Sequence, residues 1–141
     1  MKYCTVKLEK VIIDESGCHL VLPAFVNFKK LHLVLDTGAS RTVIHAGFFD
    51  KNLVPEEEYS IGLGSNSLES YQVDLEDFRI GELVFKEYKV AALDLNNVIE
   101  TYQKLDAIPV LGVLGGDILE KYYSIIDYKN LELKLCLSLN N

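Results

Sequence analysis

The run Leu33-Val34-Leu35-Asp36-Thr37-Gly38-Ala39-Ser40 ends an apolar stretch on an acid, a small hydroxyl residue and a glycine. A carboxylate at the end of a buried strand is costly unless several donors turn towards it. Gly38 leaves the backbone free to supply them, and a carboxylate so held is a candidate for acid–base chemistry. The alternative is a plain Asp-Thr-Gly turn between two strands. A second segment bears on the choice. Val110-Leu111-Gly112-Val113-Leu114-Gly115-Gly116-Asp117-Ile118-Leu119 is an apolar run with an interior glycine, followed by a short helical stretch and Tyr123-Ser124-Ile125-Ile126-Asp127-Tyr128. Glycine inside a strand marks close approach by another backbone. The loop admitted here is expected to be the one that carries Asp36.

Other chemistries are poorly served. His19, His32 and His45 each stand alone without metal-ligand spacing, so a satisfied surface or strand histidine is the simpler reading. There is no Gly-x-Ser-x-Gly elbow. Cysteine and histidine are both present, but no spacing brings them together. Cys4, Cys18 and Cys136 form an odd set with no Cys-x-x-Cys, which indicates neither a disulfide framework nor a zinc site. They read as small buried or half-buried hydrophobes. In Ser60-Ile61-Gly62-Leu63-Gly64-Ser65-Asn66-Ser67 the Gly-x-Gly pair lacks the third glycine and following helix of a phosphate loop. The stretch reads as a Gly/Ser loop or a mobile hairpin tip. Glu56-Glu57-Glu58 after Pro55 reads as a solvated turn.

The elements that must position these residues are mostly strands. Leu131, Leu133, Leu135, Leu137 and Leu139 alternate with Glu132, Lys134, Cys136, Ser138 and Asn140, the period that puts one face of a strand on a core. Tyr71, Val73 and Leu75 alternate with polar residues in the same way. Further strands are predicted over Thr5–Ile13, Leu20–Phe28, Leu31–Leu35, Leu83–Leu93 and Tyr123–Ile126, with Asp127–Asn130 turning a C-terminal hairpin. Two short helices are predicted, one after Thr42 through Ala46 to Lys51 and one over Asp117–Tyr122 with Asp117 as its N-cap. This pattern predicts a mostly β sandwich or barrel-like fold. With 141 residues and no linker, low-complexity tract or repeat, residues 1–141 are expected to form one domain.

Composition narrows the partners. A net charge of −7 disfavours a nucleic-acid surface, since phosphate backbones would be repelled. The longest apolar run, Ile108–Leu114, is far short of a membrane span. Lys7, Glu9 and Lys10 interrupt the apolar region that a signal peptide needs, so a soluble, cytoplasmic protein is expected.

Taken together, the two segments and their order resemble the retropepsin-like aspartic proteases, from about Leu20 to Leu137. Gly112 and Gly115 are both possible matches to the family's apolar-apolar-Gly motif. Gly115 is preferred because the helix starts directly after it. The resemblance implies an acid-protease fold: a closed barrel-like sheet with a flap hairpin and one or two short helices. The flap falls on the Gly/Ser stretch around Ile61–Ser65.

Only one Asp-Thr-Gly is present, and there is no Asp-Ser-Gly. The family's chemistry needs two carboxylates, one ionised to draw a proton from water and one protonated to donate to the carbonyl oxygen. The resemblance therefore implies a homodimer with Asp36 from each chain. It further implies that Thr37 bonds across the two-fold axis and that Gly38 offers its N–H to the carboxylate. Ala39 and Ser40 would line the cleft, and Ile61, Gly62, Leu63, Gly64 and Ser65 would hold an extended peptide by strand-like hydrogen bonds. No metal or organic cofactor is implied. A dimeric peptide-binding module without catalysis is the alternative, which the intact Asp-Thr-Gly disfavours. Leu131–Leu139 is expected to build the dimer interface or to serve the monomer's own sheet. Asp94–Ile108, longer than the minimal pattern, is expected to lie over the cleft or lengthen its wall.

Overall fold

The computed structural model describes residues 2–15, 17–49, 53–55, 59–60, 67–68 and 70–138. Strands β1 (Tyr3–Lys7), β2 (Glu9–Asp14), β3 (Gly17–Val26), β4 (Lys29–Leu35) and β5 (Val43–His45) come first, followed by a single 3-10 turn, Ala46–Phe48. Short strands β6 (Val54–Pro55), β7 (Tyr59–Ser60) and β8 (Ser67–Leu68) precede the long hairpin of β9 (Tyr71–Ile80) and β10 (Leu83–Leu93). Helix α1 (Asn96–Lys104), β11 (Gly112–Leu114), α2 (Gly116–Lys121), β12 (Ile125–Asp127) and β13 (Glu132–Cys136) complete the chain.

Six strands close on themselves in the order β3-β4-β11-β5-β10-β9, because β9 pairs back onto β3 through Phe25 opposite Arg79 and Val26 opposite Phe78. The expected mostly β, closed-barrel fold is what forms. Alternation explains its two faces. Leu20, Leu22, Ala24 and Val26 of β3 and Leu31 and Leu33 of β4 point into the barrel core with Ile44, Phe78, Ile80 and Leu114. Each buried branched side chain contributes about 1.5–3 kcal/mol relative to exposure. The intervening residues face outward, and there Val21, Val11 and Val110 pack with Tyr102 of α1, with Val34 of β4 against them.

Outside the barrel lies a three-stranded sheet, β1-β13-β12. β13 pairs on one edge with β1 and on the other with β12, so this strand serves the chain's own sheet. The C-terminal hairpin turns at Asp127–Asn130, where the Asp127 carboxylate accepts the Asn130 N–H at 2.9 Å. These two hydrogen-bonded Asn130 groups, backbone and side chain, hold the Asp127 carboxyl below its usual range.

Several expectations are corrected. The single strand over Thr5–Ile13 splits at Leu8, whose N–H bonds the Leu131 carbonyl at 2.9 Å. Its two halves pair with different strands, β13 and β3, a choice that local alternation does not encode. The strand over Leu131–Leu139 shortens to Glu132–Cys136, since Leu131 takes φ +53° to close the turn; Leu139 lies outside the described residues. The helix from Thr42 to Lys51 is replaced by β5 and the 3-10 turn. β-Branched Val43 and Ile44 fit a pleated, buried surface, and Ile44 is wholly buried between β11 and β10. Lys51 lies outside the described residues. α1 was hidden by its polar composition, for only Tyr102 in it is buried.

Candidate active site

Asp36 continues the parallel ladder of β4 and β11, in which Val34 lies opposite Val113 and Leu35 opposite Leu114. Its N–H bonds the Leu114 carbonyl at 3.1 Å. Alternation therefore carries the Asp36 side chain to the outer face, the side of Val34, where it is exposed. The chain then turns: Ala39 N–H bonds the Asp36 carbonyl at 3.2 Å, and Gly38 N–H donates to Asp36 Oδ1 at 2.9 Å. This is the donor that the sequence placed on the carboxylate.

The glycine of the second segment has the expected partner. A Cβ on Gly115 would stand 2.6 Å from the Arg41 carbonyl oxygen and 2.9 Å from that of Ala39, so the loop after Asp36 presses directly on Gly115. Gly112 is also approached, but by Val43 of β5, at 2.6 Å. Gly116 N–H bonds the Ala39 carbonyl at 2.7 Å and Asp117 N–H bonds the Ser40 carbonyl at 3.1 Å. The start of α2 thus clamps the Asp36 loop from behind.

A network that sequence reasoning missed completes this clamp. Thr42, almost wholly buried, accepts the Gly115 N–H at 3.1 Å and donates to Asp117 Oδ1 at 2.8 Å. Tyr88 OH donates to Asp117 Oδ2 at 2.8 Å. Burial and the Asp117 carboxylate push the Tyr88 phenol well above its ordinary pKa. The Asp117 carboxylate is therefore taken by Thr42, just ahead of β5, and by Tyr88 of β10, and makes no cap; the N-cap of α2 is Gly115. Nothing in the local sequence marks Tyr88, 29 residues from its partner.

Thr37, Gly38 and Ser40 are exposed and Ala39 is half-buried. Together with Gly116 and Tyr123 they line an open cavity of about 600 Å3 between the Asp36 loop and α2. Ile61, Gly62, Leu63, Gly64 and Ser65 lie outside the described residues. The strands that flank them are paired, Tyr59 opposite Leu68 and Ser60 opposite Ser67. Among the described residues, no group of three or more His, Cys, Asp or Glu is placed to hold a metal ion. No helix among them is long and apolar enough to cross a membrane.

A family model described as aspartyl protease matches residues 22–118, which span both the Asp36 loop and the start of α2. The chain belongs to the aspartyl protease family. Solved structures agree on the fold. A retropepsin-like aspartic protease from Rickettsia conorii is 24% identical, covers 96% of this chain and 95% of its own, and superposes with a TM-score of 0.56. The retroviral protease-like domain of Ddi1 from Leishmania major is 12% identical, with 79% and 82% covered and a TM-score of 0.54. No curated protein sequence matches the chain. As an aspartyl protease family member with a retropepsin-like fold, the protein carries its Asp-Thr-Gly at the end of β4, where the parallel ladder with β11 stops.

Proposed function

We propose that the protein is an aspartic endopeptidase, one domain over residues 1–141, that works as a homodimer with Asp36 of each chain forming the catalytic pair. The observation that carries this reading is the Asp36 carboxylate, exposed on the outer face and held by the Gly38 N–H at 2.9 Å. A single chain holds half of such a site, and a two-fold axis supplies the other half. Two carboxylates a few ångströms apart retain one proton between them.

The ionised carboxylate takes a proton from water as the water oxygen bonds to the peptide carbonyl carbon. Its protonated partner gives a proton to the carbonyl oxygen. As the tetrahedral intermediate collapses, the second carboxylate takes back a hydroxyl proton, the C–N bond breaks, and the leaving nitrogen takes up the proton held by the first carboxyl. In this reading Thr37 bonds across the axis and Gly38 steadies the carboxylate. Ala39 and Ser40 face an extended peptide, and Ile61 to Ser65 cover it from the tip of the hairpin. Cys4, Cys18 and Cys136 form no disulfide among the described residues, which suits a reducing compartment, the cytoplasm.

Cleavage of a mixed peptide library from acid to neutral pH, wild type against Asp36→Asn at several protein concentrations, tests the reading. Cleavage that is lost in the variant and falls more than proportionally on dilution supports it. A confirmed dimer that binds peptides but cuts none overturns it in favour of a binding module.

A further inference from the structure

The outer face that bears Asp36 also bears a histidine and a tyrosine without a part in the water-activating chemistry. In the antiparallel β3–β4 ladder Leu22 lies opposite Leu33 and Val21 opposite Val34. His19 stands two residues before Val21 on β3 and Asp36 two residues after Val34, so alternation puts both on the face of Val21 and Val34. On its other edge β3 is held by β2, with Val11 opposite His19.

Tyr102 reaches this spot from α1. Its ring is buried against Val11, Val21 and Val110, and its hydroxyl lies 2.6 Å from His19 Nδ1. The Asp36 charge adds to burial in raising the Tyr102 pKa, which places hydroxyl, imidazole and carboxylate in one electrostatic neighbourhood. His19 itself is exposed. Its Nε2 has no hydrogen bond among the described residues. A phenol that donates to Nδ1 leaves the ring hydrogen on Nε2. In that tautomer the exposed edge of the imidazole is a donor on the face that bears Asp36.

We propose that His19, oriented by Tyr102, is a substrate-contacting residue that gives its Nε2 hydrogen to a carboxylate or carboxamide oxygen on a peptide side chain bound next to the scissile bond. This rests on the peptidase reading for the word scissile, but the contact itself belongs to any peptide laid along the Asp36 face. Tyr102 is a positioning residue: its buried ring anchors α1, and its hydroxyl fixes which way the imidazole turns.

The test uses the catalytically silenced Asp36→Asn protein and fluorescent peptides in which each position carries Glu, Gln or norleucine in turn. At one position Glu and Gln peptides bind roughly tenfold tighter than norleucine, the effect of one hydrogen bond to a charged or strongly polar group. His19→Phe in the same background erases that difference, and Tyr102→Phe reduces it. The His19 ring signals in NMR report the Nε2–H form and shift on adding the Glu peptide. Indifference to Glu, Gln and norleucine at every position, or ring signals that stay put at saturating peptide, overturns the proposal. If Tyr102→Phe does not fold, His19→Phe carries the comparison alone. Wild-type protein that discriminates through His19 yet cleaves nothing overturns the peptidase reading and leaves this contact standing.

Discussion

The Thr42 hydroxyl is 2.8 Å from Asp117 Oδ1 and 3.1 Å from the Gly115 N–H, so one buried side chain joins the loop after Asp36 to the start of α2, 75 residues away. Every group it touches is polar and shielded, which makes the network expensive to break at one point. Thr42→Val keeps the shape but leaves the Gly115 N–H and an Asp117 oxygen without their partner. It is expected to lower stability by about 1–3 kcal/mol, read as a fall in the urea midpoint. Tyr88→Phe removes one hydrogen bond from the other Asp117 oxygen and should cost about 0.5–1.5 kcal/mol. Asp117→Asn retains an acceptor for Thr42 and should fall short of the Thr42→Val loss.

Gly115 and Gly116 are adjacent yet differ in what a methyl group would meet. At Gly115 it would press on the Arg41 carbonyl carbon and oxygen at 2.6 Å, both backbone atoms, whereas at Gly116 the nearest atom is 3.5 Å away. Gly115→Ala should therefore destabilise the fold by about 1–3 kcal/mol or more and displace the Asp36 loop, abolishing any cleavage. Gly116→Ala should stay within about 1 kcal/mol of wild type, which makes it the internal control.

Acid sensitivity has an identifiable source in Asp77. Hydrogen bonds from Arg79 at 2.6 Å and Lys86 at 2.8 Å hold its carboxyl below the ordinary 3.8, at about 2. Because the folded value is depressed, the stability it confers is fully present above the ordinary carboxylate range. It is lost as pH falls from about 4 towards about 2. Asp77→Asn should be less stable than wild type at pH 7 and should lose less on acidification. Urea midpoints at pH 7 and pH 2.5 check this; equal losses in both proteins would refute the assignment.

The central position of β13 makes a further claim testable. Leu133 and Leu135 are wholly buried, and the strand is paired on both edges within one chain. Leu135→Ala should cost about 2–5 kcal/mol through lost burial and the cavity left behind. The loss should be the same at low and high protein concentration. A loss that grows on dilution would instead place this strand at a subunit boundary.

Much of this protein was legible in local order. Period-two alternation in β9 and β13, the turn residues at Asp127–Asn130, and the glycine-bearing apolar segment ahead of α2 all follow from side-chain sterics within a few residues. So did the Asp36 turn, because a carboxylate followed two residues later by glycine can be bonded by its own loop, as Gly38 does at 2.9 Å. Tertiary structure decided what depends on partners distant in sequence. Val43 and Ile44 became a strand because a slot between β11 and β10 was there to fill. Thr5–Ile13 was divided between two sheets, and Asp117 was drawn from a cap to Thr42 and Tyr88. The His19–Tyr102 pair, 83 residues apart, exists only because α1 docks on the face that Val34 and Asp36 share. Sequence order limits what each segment can do locally; closure of the barrel selects which of those options is stabilised by burial and by hydrogen bonds from elsewhere in the chain.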